Sequence, residues 1–114
     1  MKVRDLEAYA LSLPGATLDF PFGDGARVFK VGGKMFAACG GAPSAPARPS
    51  FKCSDLAFEM LVQREGLAPA RYLARAKWIQ IDDPRVMGGA ELKARIAEAH
   101  RIVAAKLPRK ARPA

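Results

Sequence analysis

The chain has 114 residues, half of them hydrophobic, with 19 Lys and Arg against 11 Asp and Glu, a formal net charge of +8. That length fits one domain whose core needs no metal or disulfide staple, and the composition excludes disordered and fibrous classes. The charge favours anionic partners (nucleic acid, an acidic protein face or acidic lipid headgroups), and no run of about 18 apolar residues is present to span a membrane.

Val3, Leu6, Ala10 and Leu13 recur at helical spacing until Pro14-Gly15 stops the pattern, so a first helix with one apolar stripe is expected. "ATLDFPFG" alternates loosely, with Leu18, Phe20 and Phe22 to one side, and reads as a short strand that Pro21 keeps near an edge. "ARVFKV" and "KMFAAC" flank Gly32-Gly33, a pair suited to the positive φ angles of a two-residue hairpin. That turn pairs Phe29 with Phe36 and Lys30 with Met35. Phe29, Val31, Phe36 and Ala38 then form an apolar face against a helix, while Val28, Lys30, Met35 and Cys39 point the other way.

"GAPSAPARP", Gly41 to Pro49, reads as a mobile loop, and "SFKCS" as a strand with Phe51 and Cys53 opposite Lys52. Ser54 or Asp55 is expected to cap a helix, "DLAFEMLVQRE", closed by Gly66. "LAPARYL" reads as a turn with a helical fragment, and "AKWIQID" as a strand with Ile79 and Ile81 inward and Trp78 opposite. Leu92, Ile96, Ala99, Val103 and Leu107 mark a last helix, with Glu91 and Arg95 as an i,i+4 pair. The order α-β-β-β-β-α-β-α predicts a single two-layer α+β domain over residues 1–107, an antiparallel sheet with helices on one side. A basic, frayed tail is expected at 108–114.

Few residues are suited to chemistry. "VGGKM" looks like half of a phosphate loop, but G-x-x-x-x-G-K-[ST] needs Gly and then Ser or Thr where Val28 and Met35 stand. The single histidine, His100, lies off the apolar stripe and is expected to face solvent. With Cys39 and Cys53 it makes no metal-ligand or triad spacing, so no metal, cofactor or catalytic group is expected. The cysteines read as buried thiols of a reducing cytoplasm. Asp5 and Glu7 interrupt "MKVRDLEAYALSL" where a secretory signal would be apolar. Asp19, Asp24, Asp82 and Asp83 fall at strand ends and turns, where their side chains bond nearby backbone.

The cations carry more. Lys30, Lys34 and Lys52 lie on or near strand ends of one sheet, either as edge protection or as the phosphate contacts of a winged hairpin. Arg71, Arg75 and Lys77 make a second patch beside Trp78, which reads either as core or as a stacking platform. Lys106, Arg109, Lys110 and Arg112 in the tail add sequence-independent attraction for phosphate.

"LSLPGATLDFPFG", "VFKVGGKMFA", the Trp of "AKWIQID" and the ending "IVAAKLPRK" together resemble the MmcQ/YjbR family of small bacterial proteins, from Leu11 to Lys110. The resemblance implies a compact α+β fold similar to type III secretion chaperones and, by analogy with a double-winged architecture, DNA binding. The chain departs from the family pattern at Ala99-His100, where the family usually has Ser-Tyr, and in a compressed segment between Tyr72 and Trp78. The expectation is a non-enzymatic, cytoplasmic DNA-binding protein. Lys30, Lys34, Lys52, Arg71, Arg75, Lys77 and Trp78 would contact DNA weakly and mainly through its backbone, because no helix is basic enough along one face to read bases. The rival is a protein- or peptide-interaction module using Val28, Met35 and Trp78 on one sheet face. An exposed apolar patch there would favour the module, and a continuous stripe of lysine and arginine would favour DNA.

Overall fold

Helix α1 (Val3–Ser12) forms where Val3, Leu6 and Ala10 place one buried stripe along it. The computed structural model describes residues 1–23 and 25–113; Asp24, read above as a turn carboxylate, lies outside them. Backbone N–H groups of Val3 and Arg4 donate to Ala45 O (2.9 Å) and Pro43 O (3.0 Å), and that of Ala47 to Met1 O (2.9 Å). The Pro- and Ala-rich loop read as mobile is therefore tied to the N-terminal segment, with Ala47 and Pro49 buried. Strand β1 (Ala16–Asp19) stops earlier than expected. The Asp19 carboxylate accepts the Phe20 N–H at 2.8 Å, and Pro21 has no N–H to extend the ladder. Phe20 and Phe22 consequently leave the sheet and are 47% and 76% exposed.

Strands β2 (Arg27–Val31) and β3 (Lys34–Cys39) form the hairpin, with Val31 opposite Lys34 and positive φ at both Gly32 (56°) and Gly33 (78°). Positive φ at both central residues is the condition of the hairpin turn whose twist matches the strands. Lys30 pairs with Met35 as expected, but Phe29 pairs with Ala37, not Phe36, because a bulge intervenes. The extra residue is Phe36, which the bulge lets turn onto the same side as Ala37. Its ring lies 6.4 Å from Phe29 and 5.2 Å, edge-on, from His100. The bulge shifts the alternation beyond it, so Cys39 enters the core and Ala38 takes the outer face, reversing the expected assignment.

Strand β4 (Ser50–Lys52) buries Phe51 as expected, and Cys53 follows it into the core. Helix α2 (Asp55–Leu61) is capped by the Ser54 hydroxyl, which accepts the Ala57 N–H at 3.1 Å; it is shorter than the sequence pattern suggested. "LAP", read as the start of a turn, is an edge strand, β5 (Leu67–Pro69), paired with β6 (Trp78–Ile81). Helix α3 (Gly89–Ala105) buries Leu92, Ile96, Ala99 and Val103.

Every strand pair is antiparallel, in the order β1-β2-β3-β4-β6-β5. Val3 and Leu6 of α1, Phe58 and Leu61 of α2, and Leu92 and Ile96 of α3 share one core with Phe29, Phe51 and Ile79. The three helices thus cover one face of a single α+β sheet domain, and each fully buried Phe contributes ~1.5–3 kcal/mol. Strand alternation puts Lys30, Met35, Ser50, Lys52, Trp78 and Gln80 on the other face.

Two further expectations change. His100 is buried: its ring packs on Phe36, and its Nε2 lies 2.6 Å from Pro14 O, so it donates a hydrogen bond to a backbone carbonyl. The tail, where fraying is expected, takes a folded-back path among the described residues. A 3₁₀ turn (Arg109–Ala111) returns the chain, and Arg112 donates from Nε to Leu107 O (2.9 Å) and from Nη2 to Ala105 O (3.1 Å). Ala105 O is one of the carbonyls that a helix end otherwise leaves unpaired.

Candidate functional site

The seven predicted contact residues do not form one stripe. Lys30 lies on the outer face of β2 beside Asp19 of β1, its Nζ 2.8 Å from Asp19 Oδ2. The donated hydrogen bond holds the Asp19 carboxyl below its ordinary range, and the Lys30 charge is answered within the sheet. Lys77, at φ 62°, turns its ammonium 5.0 Å above the ring of Phe58, toward α2 and away from the outer face. Arg71 is exposed beside Arg48, Gln80 and Asp82 in a shallow polar depression, its backbone N–H bonded to Gln80 Oε1 at 3.1 Å. Arg75 is exposed in the turns of residues 70–77, as is Tyr72.

Lys34, Lys52 and Trp78 do come together. They line a groove of ≈ 380 Å³ at the end of the sheet nearest the β2–β3 turn, and Lys106 joins them from the C-cap of α3. Met35, Leu73, Val103 and Leu107 supply its apolar walls. No acidic residue lines it among the described residues.

Three local structures make this groove. The β2–β3 turn brings Lys34 and Met35 to its edge. The end of α3 is held against that turn by Leu107: a Cβ on Gly32 would stand 2.5 Å from Leu107 Cδ1, so only glycine allows the approach. On the other side the 70–77 segment folds back, with the Trp78 N–H donating to Leu73 O at 3.2 Å. The Lys52 ammonium donates to the Ala76 carbonyl. Trp78 lies directly across the ladder from Lys52 and is only 4% exposed, so it is packed wall more than open platform.

Electrostatically the groove is an unbalanced site. Partial burial lowers the pKa of Lys52, and the nearby charge of Lys106 lowers it further, against a smaller opposing effect of Asp55. Elsewhere four further acids are matched to cations: Arg27 Nε is 2.7 Å from Glu7, Arg64 Nη1 2.6 Å from Glu91, Arg85 Nε 3.1 Å from Asp83, and Arg101 bonds Glu98. Glu91, expected to pair along its own helix with Arg95, is thus bridged instead by Arg64 from the segment after α2.

The remaining polar chemistry is spent on structure. Both cysteines are free and buried, and burial raises both thiols, that of Cys53 to about 11. No group of three or more His, Cys, Asp or Glu side chains is placed to hold a metal among the described residues. No helix there is long and apolar enough to cross a membrane.

Lys106, Leu73 and Leu107 were not grouped with the site by sequence. By sequence Lys106 belongs with the tail and Leu107 with the core. The available signal was the i, i+3, i+4 set Val103, Lys106 and Leu107, which places the lysine at the border of the helix stripe.

The crystal structure of the Deinococcus radiodurans protein DR2400, with a DUF419 domain, is similar at 25% identity and a TM-score of 0.83, covering 96% of this chain and 84% of that one. A Pseudomonas syringae protein of known structure shares the fold at 16% identity and a TM-score of 0.73, over 90% of this chain and 98% of its own. No curated protein matches. The family model YjbR matches residues 11–102, which spans most of the domain, and the chain belongs to the YjbR family.

Proposed function

We infer that this YjbR-family protein is a non-enzymatic, cytoplasmic DNA-binding domain that holds the phosphate backbone weakly and without reading sequence. The observation that carries the reading is the segregation of charge. Five acidic side chains are paired with Arg or Lys elsewhere, while Lys34, Lys52 and Lys106 meet in a groove with no acid in its lining among the described residues. Arg75 beside one wall, and Arg109 and Lys110 just beyond Pro108 at the other, extend the same positive end. Such a field attracts a polyanion and releases its counterions, and it carries no base-specific pattern.

The peptide-module reading has less support on this face, since Val28 and Trp78 are 1% and 4% exposed and leave Met35 as the accessible apolar residue of that set. A non-enzymatic role is favoured because His100 is committed to Pro14 and the thiols are buried and protonated.

The test is a titration of labelled duplex DNA at several salt concentrations. Replacing Lys34 and Lys106 together by Gln should flatten the slope of log K against log salt by about two, at about 0.9 per lost phosphate contact. Lys30→Gln should leave the slope unchanged, because Asp19 already answers that charge. No duplex binding at low salt would end the DNA reading, and an unchanged slope in the double variant would move it off the groove.

A further inference from the structure

We propose that the groove between the β2–β3 turn, the 70–77 segment and the end of α3 is a binding site for a medium-chain fatty acid, with the hydrocarbon tail on Met35, Leu73 and Leu107 and the carboxylate among Lys34, Lys52 and Lys106. The proposal goes beyond the DNA reading and does not depend on it.

Size is the first argument. A groove of ≈ 380 Å³ sits at the small end of the range of small-molecule sites, about 300–1,000 Å³, and is far too small to enclose a duplex. Its walls also hold more apolar surface than phosphate contacts need. Met35, Leu73, Val103, Leu107 and Pro108 are aliphatic, and Trp78 is packed so that little of its ring is left for stacking. Such walls suit a saturated chain better than a flat base.

The second argument is the arrangement of charge. Three ammonium groups border one apolar cleft, and no carboxylate lines it among the described residues. Lys52 is half-buried, with a backbone carbonyl, Ala76 O, as its acceptor. Partial burial and Lys106 both disfavour its charged form, and an anion arriving between Lys52 and Lys106 opposes them by favouring the ammonium. An anion with an apolar tail satisfies the cations and covers the walls at once; a bare phosphate satisfies only the first.

The chain's one tryptophan lines the groove, so its fluorescence reports occupancy directly. Hexanoate, octanoate and decanoate, each below its micellar concentration and without DNA, should produce saturable changes. Affinity should rise about fourfold per added methylene, the equivalent of ~0.8 kcal/mol for each CH₂ buried. Decanol should bind at least about tenfold more weakly than decanoate, because it loses the charge-assisted bonds. Lys52→Gln, with its fold checked by circular dichroism, should weaken decanoate about tenfold and leave decanol unaffected.

Absence of a saturable change, affinities independent of chain length, or equal binding of decanol would each overturn the proposal. Duplex binding is measured separately. Loss of duplex binding with decanoate retained defeats only the DNA reading. The reverse result defeats the fatty-acid site and leaves the groove as a cationic wall.

Discussion

Lys30 and Lys34 flank the same turn, one strand residue and two glycines apart, yet they have different surroundings. Lys30 lies across the strand from Thr17 and within reach of Asp19, so its charge is closed into an ion pair. Lys34 has no such partner among the described residues and sits on the groove. The cysteines show how strongly surroundings govern one functional group. With the Cys53 thiol pushed up to about 11, about one molecule in a thousand carries the thiolate at pH 8. Labelling of Cys53 by a disulfide reagent at pH 8 should therefore be at least about 100-fold slower in the native protein than in urea, where the ordinary pKa near 8.5 returns, and labelling of Cys39 should also be slower. Comparable native and denatured rates would show that the two side chains are not packed as described.

The β2–β3 hairpin and the end of α3 act as a unit, because the turn that starts one wall of the groove is also the surface on which α3 ends. Phe36, facing inward at the bulge, joins Phe29 to His100, and through His100 to Pro14. Phe36→Ala should cost on the order of 3–5 kcal/mol in denaturant melts, the range for removing a fully buried aromatic ring. A loss below about 1 kcal/mol would contradict the burial of Phe36. Gly32→Ala is a more selective probe. It forces a side chain into φ 56° and against Leu107, so it should destabilise by about 1–3 kcal/mol. Its wider consequence is displacement of the α3 end from the groove, to be read as weakened decanoate binding at temperatures where the variant is still folded.

Across the whole molecule, paired acids are what low pH attacks. The carboxyls of Asp19, Asp83, Glu91 and Glu98 are each held below their ordinary values, first of all by hydrogen bonds from Lys30, Arg85, Arg64 and Arg101 respectively. A depressed folded-state pKa contributes stability that is fully present above the unfolded value, about 4, and lost as pH falls through the folded one. Thermal stability should therefore be flat in this respect from pH 5 to 8 and decline below about pH 4. The decline should be modest and salt-sensitive, because these pairs are largely solvated. A fall already complete at pH 5 would point to other groups. The same neutralised pairs leave the net charge of +8 to side chains outside them, and Lys34, Lys52 and Lys106 are the three such cations that share one groove.

Local pattern determined the helices, the Gly32-Gly33 turn, a cap at Ser54 or Asp55 and the inward set Phe29, Val31, Phe51, Ile79 and Ile81, because each follows from spacing or from a backbone conformation that few residues adopt. The family resemblance was likewise carried by short segments in order along the chain, and the match over residues 11–102 agrees with it. The bulge at Phe36 was not legible, since no glycine or break in the alternation of "KMFAAC" marks it. Strand β5 was too short to show alternation, and His100 lies beside the stripe that pattern-reading assigns to the core. The groove required more still. Lys34, Lys52 and Lys106 belong to three elements that chain order keeps apart, and Lys30 and Lys77 looked equivalent to them. Which lysines remained facing solvent was decided by Asp19, Phe58 and the return of the chain after Leu107, contacts that exist only after the sheet and α3 have packed.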